Sequence, residues 1–186
     1  MTHGSPNIYV LTGACCSGKT SIFSHYTRQT DDVFMTINEA AREFYEKHVI
    51  PNHERGTLEN QKRIQDFVLS KYEKGHQSGA KTLLGDASPL CCAAYAALSS
   101  EKSRDELFER IKDTWLPKVT HFFLLDTNDI EYSLDPDDKV RQETPEQREL
   151  VQNTIRHLLE KAGAPFTLVS GDFDTRIAQI DAILQR

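Results

Sequence analysis

One stretch constrains this chain more than any other: Gly13-Ala14-Cys15-Cys16-Ser17-Gly18-Lys19-Thr20 fits G-x-x-x-x-G-K-[ST] without a gap. Before it runs Ile8-Tyr9-Val10-Leu11-Thr12, an apolar, β-branched run that reads as a buried strand. After it, Ile22, Phe23 and Tyr26 recur at helical spacing, so a helix begins at the lysine. Strand, loop and helix in that order form a phosphate cradle. The glycines let the backbone turn its N–H groups inward, and the helix N-terminus adds donors and partial positive charge. The residues from Gly13 through Ser21 are therefore expected to bind a nucleoside triphosphate. Lys19 reaches the β- and γ-phosphates, and the Thr20 hydroxyl is a Mg²⁺ ligand.

The rest of the chain reads as alternating strands and helices, the pattern of a parallel sheet covered on both faces. Strands are expected near Tyr9–Thr12, Val33–Thr36, Thr82–Gly85, His121–Leu125 and Thr167–Val169. Helices are expected near Lys19–Gln29, Glu39–His48, Leu58–Gly75, Pro89–Leu98, Ser103–Leu116, Pro145–Lys161 and Asp174–Leu184. Thr144-Pro145-Glu146-Gln147 is a helix start, and Gly163 followed by Pro165 is a helix stop. With 186 residues, no repeat and no linker-like tract, residues 1–186 are expected to form one doubly wound α/β domain. Its ligands should sit at the carboxyl ends of the strands.

Composition narrows the partners. A net charge of −6 argues against nucleic acid or an anionic membrane surface as the main partner. No apolar run approaches a membrane span, and residues Met1 to Asn7 lack the features of a signal peptide. The expected location is the cytoplasm. Cys15-Cys16 and Cys91-Cys92 lack zinc-site spacing, and their plain reading is four small buried side chains. The alternative is that Cys15 and Cys16, beside an anion and a helix N-terminus, have lowered pKa values and oxidise readily. The seven histidines are scattered without metal-ligand spacing.

Other candidate residues sit at strand ends. Lys81-Thr82-Leu83-Leu84-Gly85-Asp86 ends in an acid suited to holding Mg²⁺, directly or through water. Ala87 and Ser88 follow it, so no glutamate stands there to activate water, which favours transfer over hydrolysis. Phe122-Phe123-Leu124-Leu125-Asp126 also ends in an acid, for which a turn or cap is the better reading. At the end of the second strand, Glu39 and Arg42 share one helix face. Glu39 could accept the proton of an attacking hydroxyl, with Asp86 as the other candidate base, and Arg42 could clamp the substrate. Tyr95, like Tyr132, could stack on a base or pack in the core, and Tyr95 joins Glu39 and Arg42 as a candidate substrate contact. The loop Thr127–Thr144 carries Asp137-Asp138-Lys139-Val140-Arg141, and Arg148 follows in the sixth helix. A lid bringing Arg141 and Arg148 over the triphosphate would exclude water and stabilise charge on the transferring group. Trp115 and Leu116 are expected to anchor their helix to the core.

The order of these pieces resembles a known family. The cradle comes first, then Glu39-Ala40-Ala41-Arg42-Glu43, then Asn60-Gln61-Lys62 on a helix, Gly85-Asp86, Tyr95, the arginine-bearing lid, and the closing run Phe166-Thr167-Leu168-Val169. From about Tyr9 to Leu184 the chain resembles the small AAA-type ATP-binding proteins grouped with the nicotinamide riboside kinase domain of bifunctional NAD-salvage regulators. The resemblance implies a three-layer P-loop NTPase with five parallel strands in the order 2-3-1-4-5. It also implies phosphorylation of a small molecule by MgATP, with the acceptor and the choice of ATP over GTP left open. The rival reading is a nucleotide-dependent switch that hydrolyses ATP slowly and acts on a protein partner.

Overall fold

The computed structural model describes residues 5–28, 34–38, 40–48, 50–51, 54–86, 88–130 and 143–185, with the backbone alone at 46. Five strands form one parallel sheet: β1 (Asn7–Thr12), β2 (Phe34–Ile37), β3 (Thr82–Asp86), β4 (His121–Leu125) and β5 (Phe166–Val169). Their order is β2-β3-β1-β4-β5, the order implied by the resemblance. The register places Leu11 beside Asp86 and Thr12 beside Leu124, so the strands end along one edge.

Side-chain alternation in the strands explains the two helical layers. Ile8, Val10, Leu83, Phe122 and Leu124 point to one face, where they pack with α2 (Ala40–Lys47), α3 (Leu58–Gln77), α4 (Pro89–Ala96), α5 (Glu101–Lys112) and α6 (Pro145–Lys161). Their alternates Leu11, Leu84, Phe123, Leu125 and Val169 point to the other face. There α1 (Lys19–Thr27) contributes Ile22, Phe23 and Tyr26, and α7 (Phe173–Leu184) contributes Ile180. Successive apolar residues in β4 thus serve opposite cores, which is why the strand has no polar face.

Helix ends follow local chemistry. At α6, Thr144 Oγ1 accepts from Gln147 N at 3.3 Å while Gln147 Oε1 accepts from Thr144 N at 2.9 Å, a reciprocal capping box. At its other end Gly163 has φ +60°, with Gly163 N donating to Glu160 O and Ala164 N to Leu159 O, both at 3.0 Å. Both expected α6 boundaries therefore stand. The fifth helix is shorter than the expected Ser103–Leu116. It starts at Glu101, capped by Ser100, and ends at Lys112. A separate 3₁₀ turn spans Leu116–Lys118, because Pro117 lacks an N–H and disfavours helical geometry at Leu116. Trp115 is buried with its ring 5.1 Å from that of Tyr72 and 6.1 Å from that of Phe122, the anchor expected of it. Among the described residues no helix is long and apolar enough to cross a membrane.

Candidate nucleotide-binding site

The loop between β1 and α1 is built to face an anion. Gly13 has φ +142°, and a Cβ there would lie 3.0 Å from Ser17 Oγ and 3.1 Å from Leu125 O. Gly18 has φ +85° and is the N-cap of α1, where it brings no side chain to cap the first turn. Between them Cys16 holds φ +53°, a left-handed conformation uncommon for a residue with a Cβ. These reversals wind the backbone into a concave turn at a helix N-terminus, the geometry that gathers N–H donors around phosphate.

The carbonyls of the same loop are held by side chains from distant helices. Arg148, on the first turn of α6, donates from Nε to Cys15 O at 3.0 Å. One of its terminal nitrogens donates to Cys16 O at 3.1 Å and Thr127 O at 3.3 Å. Arg176, on α7, donates to Ser17 O at 2.9 Å, Gly171 O at 2.7 Å and Asp126 O at 3.0 Å. Burial lowers the pKa of this guanidinium from its ordinary value, against the pull of Asp129 and Asp126. Gln152, one turn beyond Arg148, accepts from Ala14 N at 2.9 Å and donates to Leu125 O at 2.9 Å. Lys19 completes the set, with Nζ donating to Gly13 O at 2.8 Å, Ala14 O at 2.7 Å and Ser17 Oγ at 3.2 Å. Fixing these groups beforehand means the cradle need not be ordered when an anion arrives.

The structure gives Arg148 a different task from the one expected. It is buried and bonded to backbone carbonyls, so it supports the loop rather than reaching over a transferring group. Arg176 and Gln152 share that task and were not singled out from the sequence. The available signal was polar residues on buried helix faces: Arg148 and Gln152 lie one turn apart with Val151 and Ile155, and Arg176 lies one turn before Ile180.

Thr20 and Ser21 are exposed on the first turn of α1, whereas Asp86 is buried at the end of β3, on the strand next to β1. The Thr20 hydroxyl and the Asp86 carboxylate are hard oxygen donors. Mg²⁺ in phosphate sites takes one or two such ligands beside the phosphates rather than a closed protein cage, so this donor set fits it. Asp126 serves a turn, as expected, with Oδ1 accepting from Asn128 N at 3.0 Å.

Of the candidate substrate contacts, Arg42 on α2 and Tyr95 on α4 are half-buried, and Tyr95 packs against the larger core. The Arg55 guanidinium lies 4.7 Å from the centre of the Tyr45 ring, and Gln61 Nε2 donates to Arg55 O at 2.7 Å. Burial, with Cys92 adding, pushes the Tyr45 phenol up to about 12. Glu39, Ala87, Arg141, Tyr132 and residues 131–142, the middle of the loop Thr127–Thr144 expected to act as a lid, lie outside the described residues.

Cys15, Cys91 and Cys92 are buried and Cys16 is half-buried, all four as free cysteines. Burial, with Glu143 and Cys16 adding, pushes the Cys15 thiol up to about 12. The alternative of a lowered pKa is therefore overturned for Cys15, because desolvation of a thiolate outweighs the pull of Lys19.

Residues 8–176 match the family model of an AAA domain. No curated protein matches the chain. Among solved structures, the NadR protein in complex with NAD and AMP-PNP aligns with a TM-score of 0.74 at 16% identity, and in complex with NR with 0.72 at 13%. Each alignment covers 98% of this chain and 50% of NadR, so the chain spans about half the length of those proteins. Deoxyadenosine kinase from M. mycoides with bound dATP aligns with a TM-score of 0.64 at 11% identity, covering 96% of this chain and 100% of its own. Thymidylate kinase from Ehrlichia chaffeensis aligns with 0.62 at 10% identity, covering 98% and 100%. At these identities the likeness is one of fold, the P-loop kinase fold.

Proposed function

Because the chain belongs to the AAA-domain family over residues 8–176, we propose that it is a P-loop phosphotransferase acting on a small molecule. In this reading residues 1–186 act as one kinase-like unit that moves the γ-phosphoryl group of ATP to a hydroxyl of a small, nucleoside-like or other metabolite acceptor. The observation that carries it is the preorganised cradle, whose carbonyls are bound by Arg148, Arg176 and Lys19 while Gly18 leaves the start of α1 uncapped. Such a site binds a triphosphate chain with little reorganisation.

Each residue then has a role. The loop from Gly13 to Ser21 holds the triphosphate, and the Lys19 ammonium exchanges its loop carbonyls for phosphate oxygens. Thr20 and Asp86 would hold Mg²⁺, which when bound would offset the negative charge of the triphosphate. Arg42 and Tyr95 orient the acceptor. The acceptor oxygen forms a bond to the γ-phosphorus as the bond to the β–γ bridging oxygen breaks. The hydroxyl proton passes to the Glu39 carboxylate, or to Asp86 if Glu39 is not the base. Arg141 supplies charge to the transferring group from the lid.

Two variants test the scheme. Lys19→Ala should lose ATP turnover while remaining folded, and full turnover in that variant would overturn the assignment. Glu39→Gln should keep ATP binding and lose turnover, whereas an unchanged rate would move the base to Asp86.

A further inference from the structure

Five consecutive carbonyls of the β1–α1 loop, from Gly13 to Ser17, each accept from a side-chain cation. Lys19 takes those of Gly13 and Ala14, Arg148 those of Cys15 and Cys16, and Arg176 that of Ser17. A peptide polarised at its carbonyl by a cation is a stronger donor at its N–H. The arginines can therefore favour an anion in the loop without touching it.

Arg176 is the cation nearest the start of α1. Its Nη1 donates to Ser17 O at 2.9 Å, and a Cβ on Gly18 would lie 3.7 Å from that nitrogen. Its other nitrogens donate to Gly171 O at 2.7 Å and Asp126 O at 3.0 Å, so one buried side chain joins three loops. Among the described residues, the carboxylate at ion-pair distance from this guanidinium is Asp129. Its Oδ2 lies 3.8 Å from Arg176 Nη2 and accepts from Gly171 N at 2.7 Å. The Asp126 carboxylate is instead turned to Asn128 N, at 3.0 Å. The pair has two unlike ends: Arg176 is 3% exposed and meets the loop, whereas Asp129 is 41% exposed and meets solvent.

Holding this arrangement together does not require a charge at Asp129. An amide oxygen would serve Gly171 N equally well, and three carbonyls already fix the guanidinium. What the carboxylate adds is a negative charge behind an anion site. Its repulsion grows with the charge of whatever the loop binds.

We propose that Asp129 sets the affinity of the β1–α1 loop for phosphate, its carboxylate offsetting the Arg176 charge and weakening nucleotide binding in proportion to the charge of the nucleotide. The inference rests on the nucleotide-binding reading of that loop. A phosphotransferase must release its spent nucleotide every cycle, and product release limits turnover in many enzymes. A site whose attraction is tempered in this way lets the nucleotide leave.

Equilibrium binding of ATP, ADP and AMP without added metal separates the inference from the reading beneath it. Asp129→Asn keeps an oxygen for Gly171 N and removes the charge, and its Tm should match that of the parent. At about 10 mM salt, where the screening length is about 30 Å, it should bind ATP about threefold tighter, ADP by a smaller factor and AMP nearly as the parent does. At about 1 M salt, where that length falls to about 3 Å, the gain should vanish. Asp129→Glu keeps the charge and should show no gain. Unchanged or weaker ATP binding by Asp129→Asn, or an equal gain for ATP and AMP, overturns the role of Asp129 and leaves the kinase reading standing. A parent protein that binds none of the three nucleotides overturns both.

Discussion

Arg148 and Cys15 stand 133 positions apart in sequence, yet the guanidinium Nε donates to the Cys15 carbonyl at 3.0 Å. This bond and its neighbours tie α6 to the glycine-bearing loop between β1 and α1. The loop's shape depends on a helix far along the chain as much as on its own glycines.

Removing that tie should cost both stability and affinity. Arg148→Ala leaves the Cys15 and Cys16 carbonyls without their guanidinium, and hydrogen bonds to charged groups contribute about 1.5–3 kcal/mol. We expect a lower Tm and nucleotide binding weakened by about tenfold or more. Arg148→Lys should recover little, because a single ammonium cannot reproduce the planar fork. Calorimetry and equilibrium binding check both, and a lysine variant equal to the parent would contradict the geometry.

Gly85 should tolerate no side chain. Gly85→Ala puts a Cβ 1.8 Å from the Tyr72 hydroxyl, an overlap that must shift α3 or β3. Overpacking of this kind costs about 1–3 kcal/mol, measurable by urea denaturation. Adding Tyr72→Phe should rescue it only in part, because the ring carbon at 2.6 Å remains too close.

Thiol chemistry should divide the adjacent cysteines. With its pKa pushed up to about 12, Cys15 at pH 8 is thiolate in only about one molecule in ten thousand. Burial, with Cys91 adding, raises Cys92 as well. Brief iodoacetamide treatment of the folded protein should therefore modify half-buried Cys16 and spare Cys15 and Cys92. Peptide mass spectrometry reads the pattern, and faster labelling at Cys15 would contradict it.

Acid should loosen α2 from α3. Hydrogen bonds from Lys47 and Lys71 hold the Glu43 carboxyl down at about 2, from an ordinary 4.5. A group lowered on folding contributes stability above its unfolded pKa and loses it as pH falls through the folded value. The contribution of Glu43 should be whole above about pH 4.5 and disappear by about pH 2. The site is exposed to solvent, so the effect is small and screened by salt. In thermal melts across that range, Glu43→Gln should flatten part of the acid-side fall in Tm, and an identical profile would remove Glu43 from the explanation.

Much of the fold was legible because its signals are local. The cradle, the β4 run His121–Leu125 and both ends of α6 depend on residues within a few positions of one another. The loop's supports were less legible because they are tertiary. Nothing near Arg176 in sequence indicates that it will bind the carbonyl of Ser17, and Arg148 beside an acidic loop suggested a lid rather than a buried tie. The fate of Cys15 depended on a competition between a helix N-terminus and burial, which the finished packing decides. Tyr72 had the apolar spacing of α3, and only the fold brings its hydroxyl to Gly85.

The most direct measurement is ATP consumption by the protein with Mg²⁺ against a panel of nucleosides, nicotinamide riboside, sugars and amino alcohols, followed by mass spectrometry of each acceptor. One acceptor should raise turnover many-fold over the basal rate and gain one phosphoryl group, and Lys19→Ala should abolish both. Steady slow hydrolysis that no acceptor accelerates, rising instead when a protein partner is added, would contradict the kinase and make the chain a nucleotide-dependent switch.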